Sequence, residues 1–307
     1  MSNNPLRAAS RRTSSVIVPA PAKVNLILRI LDRRPDGYHN LWSIMQTVAL
    51  EDELQFDLLS DSRQILLRCD TEQLAADQSN LVYRAAAAVL DRAKLTVGLE
   101  IRLSKKIPMG AGLGGGSSDA AATILGLNHL LQLGWSTAQM VEVGQPLGSD
   151  VPFFLYAPCA SVSGRGDTVK PITLEGTRWA VLVNPGFGVE TKWAYQELAA
   201  TRSEVCPLSS LHANLDRQSQ VTWTQVIAAA ENDFESPVFT RHGLLKEIKQ
   251  ALIASGAEIA LLSGSGATVF GLFPDESTAL HAQIRFSAQK RLKVFVVPTC
   301  SGALSLR

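Results

Sequence analysis

No stretch of this chain stays apolar for the ~18 residues that a bilayer crossing needs, so no membrane span is expected. Neither sign of charge is in excess: 29 Lys and Arg stand against 28 Asp and Glu, a net charge of +1. No basic block interleaved with aromatics occurs, which argues against nucleic acid as a main partner. Cysteine is scarce and scattered, at Cys69, Cys159, Cys206 and Cys300, without a Cys-x-x-Cys pair. That pattern offers no obvious metal site and suits a reducing, cytoplasmic setting. Acidic residues are missing from positions 1–31, where Arg7, Arg11 and Arg12 lie among serines and alanines. Targeting peptides share this composition, but the apolar core of a secretory signal is absent, and residues 1–15 read as a disordered tail. The remainder of the 307 residues, with 46% hydrophobic content overall, is long enough for two domains and a sizeable core.

Glycine is what the chain has in one place. Residues 110–118 read GAGLGGGSS, five glycines and two serines in nine residues, followed directly by DAAATILGLNHLL. Glycine reaches positive φ without steric cost and adds no Cβ bulk. A helix opening just behind such a loop presents unpaired N–H groups and the positive end of its dipole, a ready cradle for phosphate. No lysine follows the glycines, which excludes a P-loop. Gly110-x-Gly112-x-x-Gly115 matches the dinucleotide fingerprint, but the strand before it alternates: Val97, Leu99, Ile101 and Leu103 against Gly98, Glu100, Arg102 and Ser104. A dinucleotide fold wants a continuous apolar strand there and an acid about 20 residues on, and none lies between Asp119 and Glu142. A flexible Ser/Gly linker would not run into so apolar a helix.

The remaining pattern is α+β: strands at 22–30, 53–59 and 64–68, helices at 80–93, 118–133 and 138–143, and strands flanking a turn at 164–167. A second unit begins at Trp179 and holds a long polar stretch before SGSG at 263–266, which joins two β-rich runs. Arg165-Gly166-Asp167 reads as a plain turn, not an adhesion motif.

Three further segments carry chemistry. In PAKVNLIL, Lys23 and Asn25 fall two apart and therefore share one face of a strand; an edge lysine that snorkels to solvent is the bland alternative. GSDVPFF places Asp150 at the entrance of an apolar run, where a helix cap is the ordinary reading. DGYHNL sets Tyr38 and His39 together after a glycine turn.

Taken in order, PAKVNL, DGYHNL, PMGAGLGGGSSDAA, GSDVPFF and SGSGATVF resemble the superfamily of small-molecule kinases that includes galactokinase, homoserine kinase, mevalonate kinase and phosphomevalonate kinase. PAKVNL and DGYHNL narrow the resemblance to the branch acting on a cytidine diphosphate-linked methylerythritol. The resemblance spans residues 16–300. It implies a ribosomal-protein-S5-like domain over 16–177, a ferredoxin-like domain over 178–307, and an active site in the cleft between them. It also implies an ATP-dependent kinase of isoprenoid-precursor synthesis, with a small-molecule acceptor and no nucleic-acid or membrane partner. Pro108, Met109, Gly110, Ala111, Gly112, Leu113, Gly114, Gly115, Gly116, Ser117 and Ser118 would wrap the triphosphate of ATP, with Ser117 or Ser118 facing phosphates and Mg²⁺. Asp150 would be the base for the acceptor hydroxyl, Lys23 its partner, and Asn25 the residue steadying both. Tyr38 and His39 would receive cytidine, with Tyr195 as the opposite face of an aromatic sandwich. Gly264, Ser265 and Gly266 would close the site. The metal ligands are left open, and so is the role of Asn232–Glu235. Ala111 and Ala267 depart from residues common in the family, and neither removes a reactive group. A homoserine- or mevalonate-type kinase is the alternative within the class, and a nicotinamide-dependent oxidoreductase the alternative outside it.

Overall fold

The computed structural model describes residues 15–60, 62–156, 158–201, 207–300, 302 and 304–306. The tail expected at 1–15 lies outside them except for Ser15, which already begins the first strand. The first unit consists of β1 (Ser15–Arg33), β2 (His39–Leu59), β3 (Ile65–Cys69), α1 (Leu81–Ala93), β4 (Gly98–Ser104), α2 (Gly115–Leu130), α3 (Thr137–Gly144), α4 (Val151–Tyr156), β5 (Cys159–Gly164) and β6 (Thr168–Pro171). The chain continues through β7 (Thr173–Leu174), β8 (Trp179–Asn184), α5 (Thr191–Thr201), α6 (Ser210–Arg217), β9 (Gln220–Val221) and α7 (Trp223–Ala229). It ends with α8 (Glu235–Arg241), α9 (Gly243–Ala254), β10 (Ile259–Leu262), β11 (Val269–Phe273), α10 (Glu276–Ile284) and β12 (Lys293–Pro298).

Strands β1 and β2 form one long antiparallel ribbon, with β4 and β5 on the opposite edge of β2, so the first sheet runs β3-β4-β2-β5-β6 with β1 beside β2. The shorter strands read from the sequence are pieces of this ribbon. Its alternation is broken at Pro21/Ala22 and at Asn25/Ile27, where the register slips and the buried face changes sides. Pro19 and Pro21 are tolerated because β1 has a partner along one edge only. The second sheet, β10-β11-β8-β12, is wholly antiparallel. With α10 linking β11 to β12, its order is that of a ferredoxin-like unit, and the α+β class stands.

Helix α2 is buried on almost every side, and Gly126 lets it lie on the ribbon: a Cβ there would come within 2.6 Å of the Phe56 ring. The other face of β1 is equally apolar. Ala22, Val24 and Leu26 share a core with Ala180 and Leu182 of β8 and Phe270 of β11. The chain beyond β12 returns to the first sheet, where Cys300 N donates to Thr47 O at 2.9 Å and Gln46 Nε2 to Cys300 O at 2.8 Å.

Candidate active site

The glycine loop is shaped by its close packing against the rest of the protein. Gly112 (φ +77°) passes so close to the second glycine motif that a Cβ would sit 2.0 Å from Ser263 O, and one on Gly114 (φ +72°) would meet Phe154 and the Lys23 stem at 2.9 and 3.0 Å. Hydrogen bonds fix the approach. Thr268 N donates to Ala111 O at 3.1 Å, Ser263 Oγ to Gly112 O at 2.9 Å, and Lys23 N to Leu113 O at 2.9 Å. Helix α2 starts at Gly115, three residues earlier than the sequence reading, so Gly115 and Gly116 supply first-turn N–H groups.

Along β1, Lys23 and Asn25 do share a face, but Lys23 does not snorkel. It is 4% exposed, and burial pulls its pKa down against the opposing pull of Asp150. Lys23 Nζ donates to Asn25 Oδ1 at 2.6 Å and lies 3.8 Å from Asp150 Oδ2. Asn25 Nδ2 in turn donates to Ser43 Oγ at 2.9 Å, and Ser43 Oγ to Ile27 O at 2.6 Å. This chain fixes the amide so that its oxygen faces the ammonium. Asp150 sits just ahead of α4, at the entrance of the buried run Val151–Leu155.

These groups open onto a cleft of about 1140 Å³. Its lining includes Lys23, Asn25, Tyr38, His39, Gly112, Gly114, Ser117, Asp150, Tyr195, Gly264 and Ser265. Residues 108–110 lie outside that lining, with Met109 exposed. Ala111, Leu113 and Ser118 have buried side chains, and the Ser118 hydroxyl has no hydrogen-bond partner among the described residues. Tyr195 stacks on His39 (centroids 4.9 Å apart, planes at 21°) and meets Phe234 edge-on at 4.8 Å. Burial pushes the Tyr195 phenol up to about 12, reinforced by the charge of Asp150, whereas burial and then Arg33 lower the His39 pKa.

Further residues, to which the sequence pattern assigns no role in the site, shape the cleft. Asn232, in the NDFE segment, donates through Nδ2 to Leu262 O at 2.7 Å and Gly264 O at 2.8 Å, and so ties down the second glycine motif. Thr191 Oγ1 and Ser265 Oγ share a hydrogen bond of 2.9 Å. Arg33, Arg165, Asp167 and Lys192 also line the cleft, which therefore carries more cationic than anionic side chains. Behind the phosphate loop, the Lys105 ammonium lies between Asp52 and Asp119, 2.7 Å from Asp119 Oδ2. Asp119 follows the two loop serines but is buried beneath them and does not face the cleft.

Models of two kinase domains match this chain: the GHMP kinases N-terminal domain over residues 80–158 and the GHMP kinases C-terminal domain over 212–290. The chain belongs to the GHMP kinase family. Among relatives, it is 42% identical to a 4-diphosphocytidyl-2-C-methyl-D-erythritol kinase of Syntrophotalea carbinolica, over 91% of this chain and 96% of that protein. It is 44% identical to the kinase of the same name from Citrifermentans bemidjiense, over 86% and 91% of the two chains. A crystal structure of 4-(cytidine 5'-diphospho)-2C-methyl-D-erythritol kinase superposes with a TM-score of 0.76 at 32% identity, covering 93% of this chain and 100% of that one. The homoserine kinase of Cytophaga hutchinsonii shares the fold, with a TM-score of 0.73 at 20% identity over 99% and 100% of the chains. This kinase is thus an ATP-dependent small-molecule kinase of two GHMP units. Among the described residues, no helix is long and apolar enough to cross a membrane.

Proposed function

We propose that this kinase transfers the γ-phosphoryl group of ATP to the 2-hydroxyl of 4-diphosphocytidyl-2-C-methyl-D-erythritol, releasing ADP and the 2-phosphate. The observation that carries the reading is the buried Lys23 ammonium 3.8 Å from the cleft-facing Asp150 carboxylate, beside the glycine loop, in a chain 42% identical to a kinase of that name. Asp150 takes the proton of the acceptor hydroxyl. Lys23 steadies charge on the attacking oxygen, while Asn25 holds the ammonium in place. First-turn amides of α2 and the Ser117 hydroxyl receive the phosphates.

Oxygen donors suited to Mg²⁺ are present. Ser117 and Asp150 face the cleft, and the Ser118 hydroxyl is buried without a partner among the described residues. Such a set fits an ion that takes one or two protein oxygens beside substrate phosphates and water. When bound, Mg²⁺ would neutralise charge developing on the phosphates. Elsewhere in the cleft the exposed Tyr38 ring offers a face to a pyrimidine, with the His39–Tyr195 stack beside it in place of the expected sandwich, and the excess of cationic lining suits a diphosphate. An assay of ADP release against a panel of alcohols tests the reading. Turnover is expected with the cytidine-linked substrate and background rates with homoserine and mevalonate. The reverse preference would place the chain elsewhere in the family.

A further inference from the structure

The Arg165-Gly166-Asp167 turn does more than reverse the chain. It forms the tip of the β5–β6 hairpin, and the pairing of Gly164 with Leu41 of β2 brings that tip alongside the 36–39 turn. There the Arg165 guanidinium lies over the Tyr38 ring, 5.4 Å from its centroid. Asp167 holds the guanidinium from below: Arg165 Nη2 donates to Asp167 Oδ2 at 3.1 Å, Nε at 3.3 Å, and the Arg165 backbone N–H to Oδ1 at 3.1 Å. A side chain at Gly164 would obstruct this fork, since its Cβ would fall 3.0 Å from Asp167 Oδ1. Tyr38 needs such support because it is 60% exposed, and the bonds that fix its turn, Tyr38 N to Asp36 Oδ1 at 3.1 Å and Arg34 N to Tyr38 O at 2.7 Å, hold its backbone and not its ring. A freely rotating ring would have to be ordered by each incoming base, at a cost in affinity.

We propose that Arg165 is a positioning residue for the nucleotide half of the acceptor: stacked on Tyr38 and braced by Asp167, it fixes the exposed ring in the orientation that receives the pyrimidine. The inference rests on the cytidine reading of the same cleft. A planar guanidinium stacks on an aromatic ring as an ammonium does not, so the role belongs to arginine and not to positive charge alone.

The test uses the full-length enzyme and CDP as probe, with titration calorimetry for CDP and for an unreactive ATP analogue, and steady-state kinetics with the complete substrate. For Arg165→Met and Arg165→Lys alike, CDP affinity and the KM for the cytidine substrate should worsen three- to ten-fold. ATP-analogue affinity should hold, which also shows that each variant is folded, and kcat should fall less than twofold. In a Tyr38→Ala background the further loss on removing Arg165 should vanish, since the guanidinium acts through the ring. Retained affinity in Arg165→Lys, or equal losses with and without Tyr38, would mark a simple electrostatic contact and overturn the proposal. Tighter CDP binding in Arg165→Met would overturn it too, by showing that the guanidinium occupies the face the base requires. If the wild-type enzyme bound no CDP at all, the cytidine reading itself would fall. Normal wild-type binding with unaltered variants would remove only the role of Arg165.

Discussion

Lys23 illustrates how much a single side chain depends on its surroundings. An ammonium 4% exposed is costly to keep charged, and the compensation comes from two acceptors, Asn25 Oδ1 at 2.6 Å and the Asp150 carboxylate at 3.8 Å. Replacing either member of the pair therefore deprives the other of its charged partner as well as removing a group. Asp150→Asn should lower kcat by about 10²–10⁴, the usual worth of a positioned base, with the Kd for an ATP analogue changed less than about threefold. Lys23→Met should likewise depress kcat more than ATP binding. Stopped-flow turnover beside calorimetry checks both, and a loss confined to ATP affinity would make Lys23 a nucleotide contact instead. The sequence shows that Lys23 and Asn25 share a strand face, because that follows from the two-residue period. It does not show that the lysine is buried, since that depends on a second sheet covering β1 from the far side.

At the scale of elements, the phosphate loop and its helix are clamped from two directions. On one side Gly112 touches the 263–266 turn. Gly112→Ala forces a methyl into Ser263 O and a side chain onto a φ of +77°, and should cost about 2–4 kcal/mol of stability, read as a fall in Tm together with weakened ATP binding. On the other side, Lys105 bonds Asp119, one turn into α2, and Asp52 in β2. One ammonium between two buried carboxylates leaves an excess of negative charge. Burial, countered by Lys105 and reinforced by Asp52, pushes Asp119 up to about 7 from an ordinary 3.8. A folded-state pKa above the unfolded one means that the folded chain holds the proton more tightly. The stabilisation is thus complete below about 4 and is lost as the pH rises through 7. Tm measured from pH 5 to pH 8 should fall in the wild type, and Asp119→Asn should flatten that slope; an unchanged slope would assign the titration to another group.

The start of α2 shows where sequence patterning stops. Glycines are poor helix formers, so the pattern places the helix start at the serines, yet Gly115 and Gly116 are helical because packing and the N–H requirements of the loop override propensity. Helices α6 and α7 lie in what reads as a polar stretch. They are short, and α6 buries only His212 and Leu215, too little for a visible stripe. The role of Asn232 is hidden for a related reason, since its partners, Leu262 O and Gly264 O, are about 30 residues away.

Across the whole molecule, the residues proposed for catalysis and for acceptor recognition line one cleft, whose walls come from the first sheet, α5 and the 263–266 turn. The motifs that mark it in sequence are contiguous, which is why PAKVNL, the glycine loop and GSDVPFF are legible, whereas Arg33, Arg165 and Lys192 reach the cleft from segments without a pattern of their own. The two units also share a core, with β1 sandwiched between α2 and the second sheet. A fragment ending at residue 177 would leave Ala22, Val24 and Leu26 facing water. Expressed alone, it should be recovered as aggregate or as a loosely packed species without a cooperative thermal transition, in contrast to the intact chain.

The return of the chain end to β2, with Cys300 bonded to Thr47 and Gln46, bears on how such an enzyme is born. A ribosome makes Cys300 only after β8 to β12, so the ribbon carrying Lys23 waits for that stitch until the second sheet has been synthesised. The nascent first unit therefore emerges with one apolar flank of β1, formed by Ala22, Val24 and Leu26, still waiting for the second sheet that covers it.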